Sequence, residues 1–246
     1  MTTTAIIGGT GLNQLPGFTP LQEFTADTPW GAPSHPIQAG KLNECQAYFL
    51  ARHGVPHRLP PHLINYRANL WALRELGVTQ VVAVNAVGGI SAPMGPGILS
   101  VPDQLIDYTW GRQHTFYDGG ELGLEHIEFT QPYSHRVREC LLQAALDAGV
   151  ECLDGGVYAA TQGPRLETAA EIRRLAQDGC DVVGMTGMPE AALAAELGLD
   201  YAALCIVVNW GAGLDTQPIT EAAMHEILQQ QAVNVSGWLQ RFLLRQ

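Results

Sequence analysis

Gln80-Val81-Val82-Ala83-Val84-Asn85-Ala86-Val87-Gly88-Gly89-Ile90 is an apolar run, rich in valine, that breaks into a polar, glycine-containing segment. β-Branched residues favour strands, and a run without polar alternation reads as a strand buried on both faces. Such strands belong to sheets covered by helices on both sides, so this stretch sets the fold class as α/β. A second stretch repeats the pattern, with Ala203-Leu204-Cys205-Ile206-Val207-Val208 running into Asn209-Trp210-Gly211-Ala212-Gly213. Ligands of open α/β sheets sit outside the carboxyl ends of strands, which places the polar and glycine-rich turns after Val84 and Val208 where a ligand would be met. A lone asparagine there is better read as a turn residue. Repetition at several strand ends is what a site built from several loops shows.

Working outward, Ala5-Ile6-Ile7 reads as a strand ending in Gly8-Gly9-Thr10-Gly11-Leu12. Glycines let backbone N–H groups converge on an anion, and the Thr10 hydroxyl adds a donor. A dinucleotide site competes, but Gln14 stands where its third glycine belongs, and no Gly-Lys-Ser/Thr makes a P-loop. Ala47 to Leu50 delivers Arg52-His53-Gly54, a fork of donors suited to phosphate beside an imidazole, although taken alone a solvated Arg beside a turn is the commoner reading. His53, His57 and His62 share a loop, but Gly54 and Pro56 interrupt it and no carboxylate lies among them, so polar loop roles are expected and no metal. Strands are expected at 98–101, 103–107, 155–160 and 181–184. Helices are expected at 65–76, at 134–149, from a Thr168/Glu171 capping box to about 175, from Pro189 to Leu197, and from about Thr220. The polar, aromatic stretch from Thr109 to Gly120 reads as a lid or an interface arm.

A chain of 246 residues with 46% hydrophobic and 15% charged residues suits a single globular domain spanning 1–246. The net charge of -11 disfavours nucleic acid and anionic membranes, so any phosphate must be gripped locally. Five widely spaced cysteines without a CxxC pair indicate neither a disulfide framework nor zinc. The stretch Met1-Thr2-Thr3-Thr4 has no basic leader character and no apolar run reaches membrane-spanning length, so a cytoplasmic protein is expected.

Taken together and in order, Gly8-Gly9-Thr10-Gly11-Leu12, Arg52-His53-Gly54, Asn65-Tyr66-Arg67-Ala68-Asn69, Asn85-Ala86-Val87-Gly88-Gly89, Phe116-Tyr117-Asp118-Gly119, Thr161-Gln162-Gly163-Pro164-Arg165 and Met185-Thr186-Gly187-Met188-Pro189-Glu190 resemble the trimeric purine nucleoside phosphorylase and methylthioadenosine phosphorylase family. The resemblance implies a central mixed sheet, a nucleoside and phosphate as substrates, no metal or organic cofactor, and a homotrimer in which the Thr109–Gly120 loop and His126 approach a neighbouring subunit's site. By motif it implies phosphate binding by Thr10, Arg52, His53, Asn85, Ala86 and Thr186, with Met185 along the ribose. Gly187-Met188 departs from the family's usual Thr-Val.

The family's adenine-type members typically have an aspartate where this chain has Asn209, and a second where it has Gly211. Glu167 stands where the 6-oxopurine members have a glutamate. Glu167 accepting a ring N–H while Asn209 meets the carbonyl and N7 favours a 6-oxopurine nucleoside. Alignment places Met224, an apolar residue suited to a methylthio group, at the 5′ position. His225 beside it would mark a 5′-hydroxyl, so an inosine/guanosine phosphorylase is one alternative, and a methylthioadenosine phosphorylase is the other. A nucleoside-binding protein without turnover and a dinucleotide-dependent oxidoreductase are the readings from other classes.

Overall fold

The computed structural model describes residues 2–12 and 14–246; Met1, in the stretch inspected for a leader, lies outside them. In chain order the elements are β1 (Thr4–Gly8), β2 (Phe18–Phe24), β3 (Ile37–Leu42), β4 (Cys45–Ala51), α1 (Tyr66–Glu75), β5 (Gln80–Gly89), β6 (Leu99–Val101), β7 (Gln104–Asp107), α2 (His135–Ala148), β8 (Leu153–Asp154), β9 (Val157–Ala160), α3 (Ala169–Gln177), β10 (Val182–Gly184), α4 (Gly187–Glu196), β11 (Asp200–Trp210) and α5 (Glu221–Leu243). They form one mixed sheet in the order β2-β3-β4-β1-β5-β10-β9-β7, with β11 on the second edge of β5 and β6 and β8 beyond it.

The expected central strand is longer than its apolar run. β5 continues through Asn85 to Gly89 because β11 runs parallel beside it from Gln80 to Gly89, with one register shift between Val207 and Asn209. Asn85 and Asn209 therefore project from strands rather than turns. The glycines mark close backbone approach: a Cβ on Gly89 would lie 1.7 Å from the Met94 carbonyl oxygen. On the opposite edge of β5, the β1 ladder ends at Ile7 opposite Ala83, and β10 begins, antiparallel, at Val183 opposite Gly88. Between these two ladders, Val84 to Val87 face an opening in the sheet.

Period-two alternation splits the core between the two faces. Ala5, Ile7, Val81 and Ala83 pack with Leu70 and Leu73 of α1 and Leu193 of α4. Ile6, Val82 and Val84 pack with Leu141 of α2 and Trp238 and Phe242 of α5. The helix ends follow their caps: Asn65, Ser134 and Thr220 accept a backbone N–H three residues on, Gly149 ends α2 at φ 65°, and the Thr168/Glu171 capping box is complete. Among the described residues no helix is long and apolar enough to cross a membrane.

Candidate active site

A cavity of about 640 Å³ opens where β5 lacks a ladder partner, and it is lined by the ends of β1, β4, β10 and β11. Its size suits a small-molecule ligand. Thr10, Arg52, His53, Asn85, Ala86 and Thr186 line it, and so do Met185, Glu167, Asn209 and Met224. Residues from strand ends distributed along the chain are thus brought to one hollow.

Arg52 forms the floor. It follows β4 and is fully buried, so its charge needs a partner. Glu190 supplies one: Arg52 Nε donates to Oε2 at 2.7 Å and Nη2 to Oε1 at 2.9 Å, while Nη1 donates to the Val84 carbonyl at 3.1 Å. Tyr201 Oη also donates to Glu190, at 2.9 Å. The pair with Glu190 raises the Arg52 pKa above its ordinary value despite burial. Of the five guanidinium protons, one on each terminal nitrogen remains uncommitted. Gly9 keeps the space beside them open, since a Cβ there would lie 2.9 Å from Nη1.

His53 Nδ1 lies 2.8 Å from the Leu59 carbonyl, which only accepts, so Nδ1 carries the proton. Burial, with smaller contributions from Arg52 and His57, pulls its pKa from 6.5 down to about 4. The ring is therefore neutral at pH 7, with Nε2 an acceptor. Across the opening, the Thr186 hydroxyl donates to Asn85 Oδ1 at 3.0 Å, and Asn85 Nδ2 donates to the Ala83 carbonyl at 3.2 Å. One Nδ2 proton is left over. The Val84 carbonyl points at Arg52, so the alternation of a strand turns the Ala86 backbone N–H to the same edge. The result is a cradle of N–H and O–H groups around the free edge of a guanidinium whose charge Glu190 balances, with His53 Nε2 as an acceptor beside it.

Glu167 precedes α3 and is half-buried; its Oε1 accepts the Thr161 hydroxyl at 2.7 Å, which fixes the carboxylate and leaves Oε2 available. Asn209 Nδ2 donates one proton to the Trp210 carbonyl at 2.7 Å, leaving its second proton and Oδ1. Met224, in the first turn of α5, packs partly buried against the core that holds Leu228. His225 also lines the cavity, but it is exposed and its Nε2 lies 2.8 Å from Gln229 Nε2.

Two expected residues fall elsewhere. Gly211 does not line this cavity: its N–H donates to the Gly89 carbonyl at 2.7 Å, a Cβ would press on Ile172, and it faces a smaller adjoining hollow. His126 is exposed and outside the lining. The Thr109–Gly120 stretch is not a free lid along its whole length, because Arg112 and Phe116 are buried in it. Glu190 is a functional residue that sequence pattern alone does not mark. Its trace is an acidic residue in the first turn of an alanine-rich helix, followed by apolar residues up to Glu196 at the helix end.

The model of the Phosphorylase superfamily matches residues 3–244. The chain belongs to the phosphorylase superfamily. Within that superfamily it is 54% identical, over 99% of both chains, to a probable S-methyl-5′-thioinosine phosphorylase of Pseudomonas syringae pv. tomato. It is 44% identical to the 6-oxopurine nucleoside phosphorylase of Pyrococcus furiosus, over 94% of this chain and 88% of that one. Methylthioadenosine phosphorylase from Schistosoma mansoni, solved in complex with adenine, superposes with a TM-score of 0.95 at 31% identity, covering 100% of this chain and 92% of that one.

Proposed function

We propose that the protein cleaves S-methyl-5′-thioinosine with inorganic phosphate, giving hypoxanthine and 5-methylthioribose 1-phosphate, a purine-salvage reaction. The observation that carries this reading is the pairing, in one cavity, of the Arg52 cradle with the Glu167 and Asn209 couple. Phosphate is held by Arg52, the Thr10 hydroxyl, the spare Asn85 Nδ2 proton and the Ala86 N–H; its own O–H donates to the acceptor Nε2 of His53, the Thr186 hydroxyl donates to it on turning from Asn85 Oδ1, and an unprotonated phosphate oxygen attacks the anomeric carbon. The C–O bond forms, the glycosidic C–N bond breaks, and its electron pair passes into the purine. The spare Asn209 N–H donates to the oxygen or N7 of the base as charge develops there, and Glu167 holds the ring N–H. Preorganised donors aimed at a developing charge are typically worth about 3–4 kcal/mol each. Met185 lies along the sugar, and Met224 contacts its 5′ substituent.

The 6-oxopurine preference rests on Asn209, which presents both a donor and an acceptor where an aspartate would only accept. The methylthio preference rests on Met224 joining the apolar wall while His225 is exposed and paired with Gln229. The reading uses phosphate as co-substrate and requires no metal or organic cofactor. It places the enzyme in the cytoplasm as a homotrimer. Five free cysteines suit a reducing compartment, and the exposed Trp110, Leu122 and Leu124 suit a loop covered by a neighbouring copy.

The test is kcat/KM for phosphate-dependent cleavage of S-methyl-5′-thioinosine, inosine and S-methyl-5′-thioadenosine by one preparation. Methylthioinosine is expected to lead. Inosine in the lead would overturn the Met224 assignment, and methylthioadenosine in the lead would overturn the base assignment. Absence of any phosphate-dependent cleavage would overturn the reaction itself.

A further inference from the structure

Arg112 is 7% exposed, and all its hydrogen bonds run to neutral oxygens. Nη1 donates to the carbonyls of Met185 at 2.8 Å and Met188 at 2.6 Å, and to Tyr66 Oη at 3.3 Å. Nη2 donates to the carbonyls of Gln162 at 2.8 Å and Thr161 at 3.2 Å, and Nε to Gln162 Oε1 at 3.2 Å. The two segments so gripped are those that follow β9 and β10. One leads to Glu167, whose carboxylate is itself held by Thr161; the other carries Met185 and Thr186. A buried cation with no carboxylate partner carries a large desolvation cost, which fully committed donors offset only in part. Apolar packing would hold two loops together without that cost. What a planar fork adds is a fixed angle and spacing between two backbones.

We propose that Arg112 is a positioning residue for the reaction: its guanidinium clamps the backbone leading to Glu167 to the backbone carrying Met185 and Thr186, and so sets the separation of purine and phosphate. The inference rests on the phosphorolysis reading of the cavity. Misplacing reacting groups by about 1 Å costs on the order of 100-fold in rate. The grip comes from a segment expected to be a lid or an interface arm, and that segment is anchored at its other side too. The Thr115 hydroxyl and Phe116 N–H both donate to the Glu196 carboxylate, each at 2.7 Å.

The test compares Arg112→Met, Arg112→Lys and Arg112→Ala with the wild type. In hydrogen exchange, the amides of residues 161–168 and 185–188 are expected to lose protection together in Arg112→Met. In kinetics, kcat should fall about 100-fold while both KM values change less than about tenfold, because binding groups survive and their spacing does not. Lysine, a point charge without a fork, should leave most of the defect in place. Guanidinium at millimolar concentration should restore Arg112→Ala at least about fivefold, and methylammonium should not. The inference is overturned if folded Arg112→Met keeps kcat within threefold of wild type, if only one segment loses protection, or if guanidinium gives no rescue. Failure of the wild type to turn over would instead strike the function, while the exchange result would still decide the clamp.

Discussion

Replacing Glu190 by Gln tests whether the floor of the cavity is built as the geometry implies. The Arg52 and Glu190 side chains are each 1% exposed and meet in two hydrogen bonds. Removing one charge from a buried pair leaves the other uncompensated, at a cost of about 3–5 kcal/mol. Glutamine keeps one acceptor oxygen but turns an amide N–H toward an Arg52 donor or toward Tyr201, so the lower end, about 3 kcal/mol, applies. For a chain of this size each kcal/mol moves Tm by roughly 2–4 °C, which gives a fall of about 6–12 °C in calorimetry without phosphate. Glu190→Asp separates stability from aim: it keeps the charge but withdraws the carboxylate by one methylene, so bidentate contact is lost. A charge-assisted hydrogen bond is worth about 1.5–3 kcal/mol, so kcat/KM for phosphate should fall about 10- to 100-fold while kcat/KM for the nucleoside falls less. A Glu190→Gln protein melting within 2 °C of wild type, or a Glu190→Asp enzyme with unchanged kcat/KM for phosphate, would refute the reasoning.

Because His53 stays neutral down to about pH 4 in the folded protein but titrates near 6.5 when unfolded, the unfolded state binds more protons between those values, and stability falls as pH drops through that window. The loss attributable to this one group is about 3 kcal/mol, and urea midpoints from pH 7 to 4.5 should fall less steeply in His53→Gln; equal slopes would show that His53 does not titrate as described. Asn209→Asp replaces Nδ2, whose spare proton is the one assigned to the base, by an acceptor oxygen, so preference should move on the order of 100-fold toward adenine nucleosides, measured as the ratio of kcat/KM for methylthioadenosine and methylthioinosine. Met224→Ala should narrow the preference for methylthioinosine over inosine by about 1–3 kcal/mol, whereas His225→Ala should leave it nearly unchanged. The reverse pattern would put His225 against the sugar.

The parts of the fold legible in the sequence are those whose composition reports burial. β1, β5 and β11 are apolar without alternation, as strands covered on both faces must be, and the caps at Ser134, Thr168 and Thr220 mark helix starts by a local hydrogen bond. β2 and β3 left no such trace. β2 is an edge strand, mostly exposed, with Pro20 in it, a residue that argues against a strand from sequence alone. Gly88 and Gly89 misled in the other direction, because a glycine that admits a neighbouring backbone and a glycine that makes a turn look alike until the neighbour is seen. In the site, Arg52, His53 and Asn209 were legible by chemical type. Glu190 and Arg112 were not, since each acts on a group far off in sequence: 138 residues separate Arg52 from Glu190.

The division of labour within the cavity follows from the sheet. The residues proposed to hold phosphate stand on β5 and directly after β1, β4 and β10, beside ladders and the Arg52–Glu190 pair. The groups assigned to the purine edge and the 5′ substituent, Glu167 and Met224, come instead from a connection and from the first turn of a helix. A change at either alters what is recognised without disturbing a strand. Phosphate is common to every phosphorolysis and the nucleoside is not, so a rigid part for the first and an adjustable part for the second is the arrangement that lets one scaffold serve several nucleosides. Asn209 is the exception that shows the limit. The role proposed for it would be performed from a strand, beside the register shift after Val207, and a bulge re-aims a side chain while the pairing continues on either side.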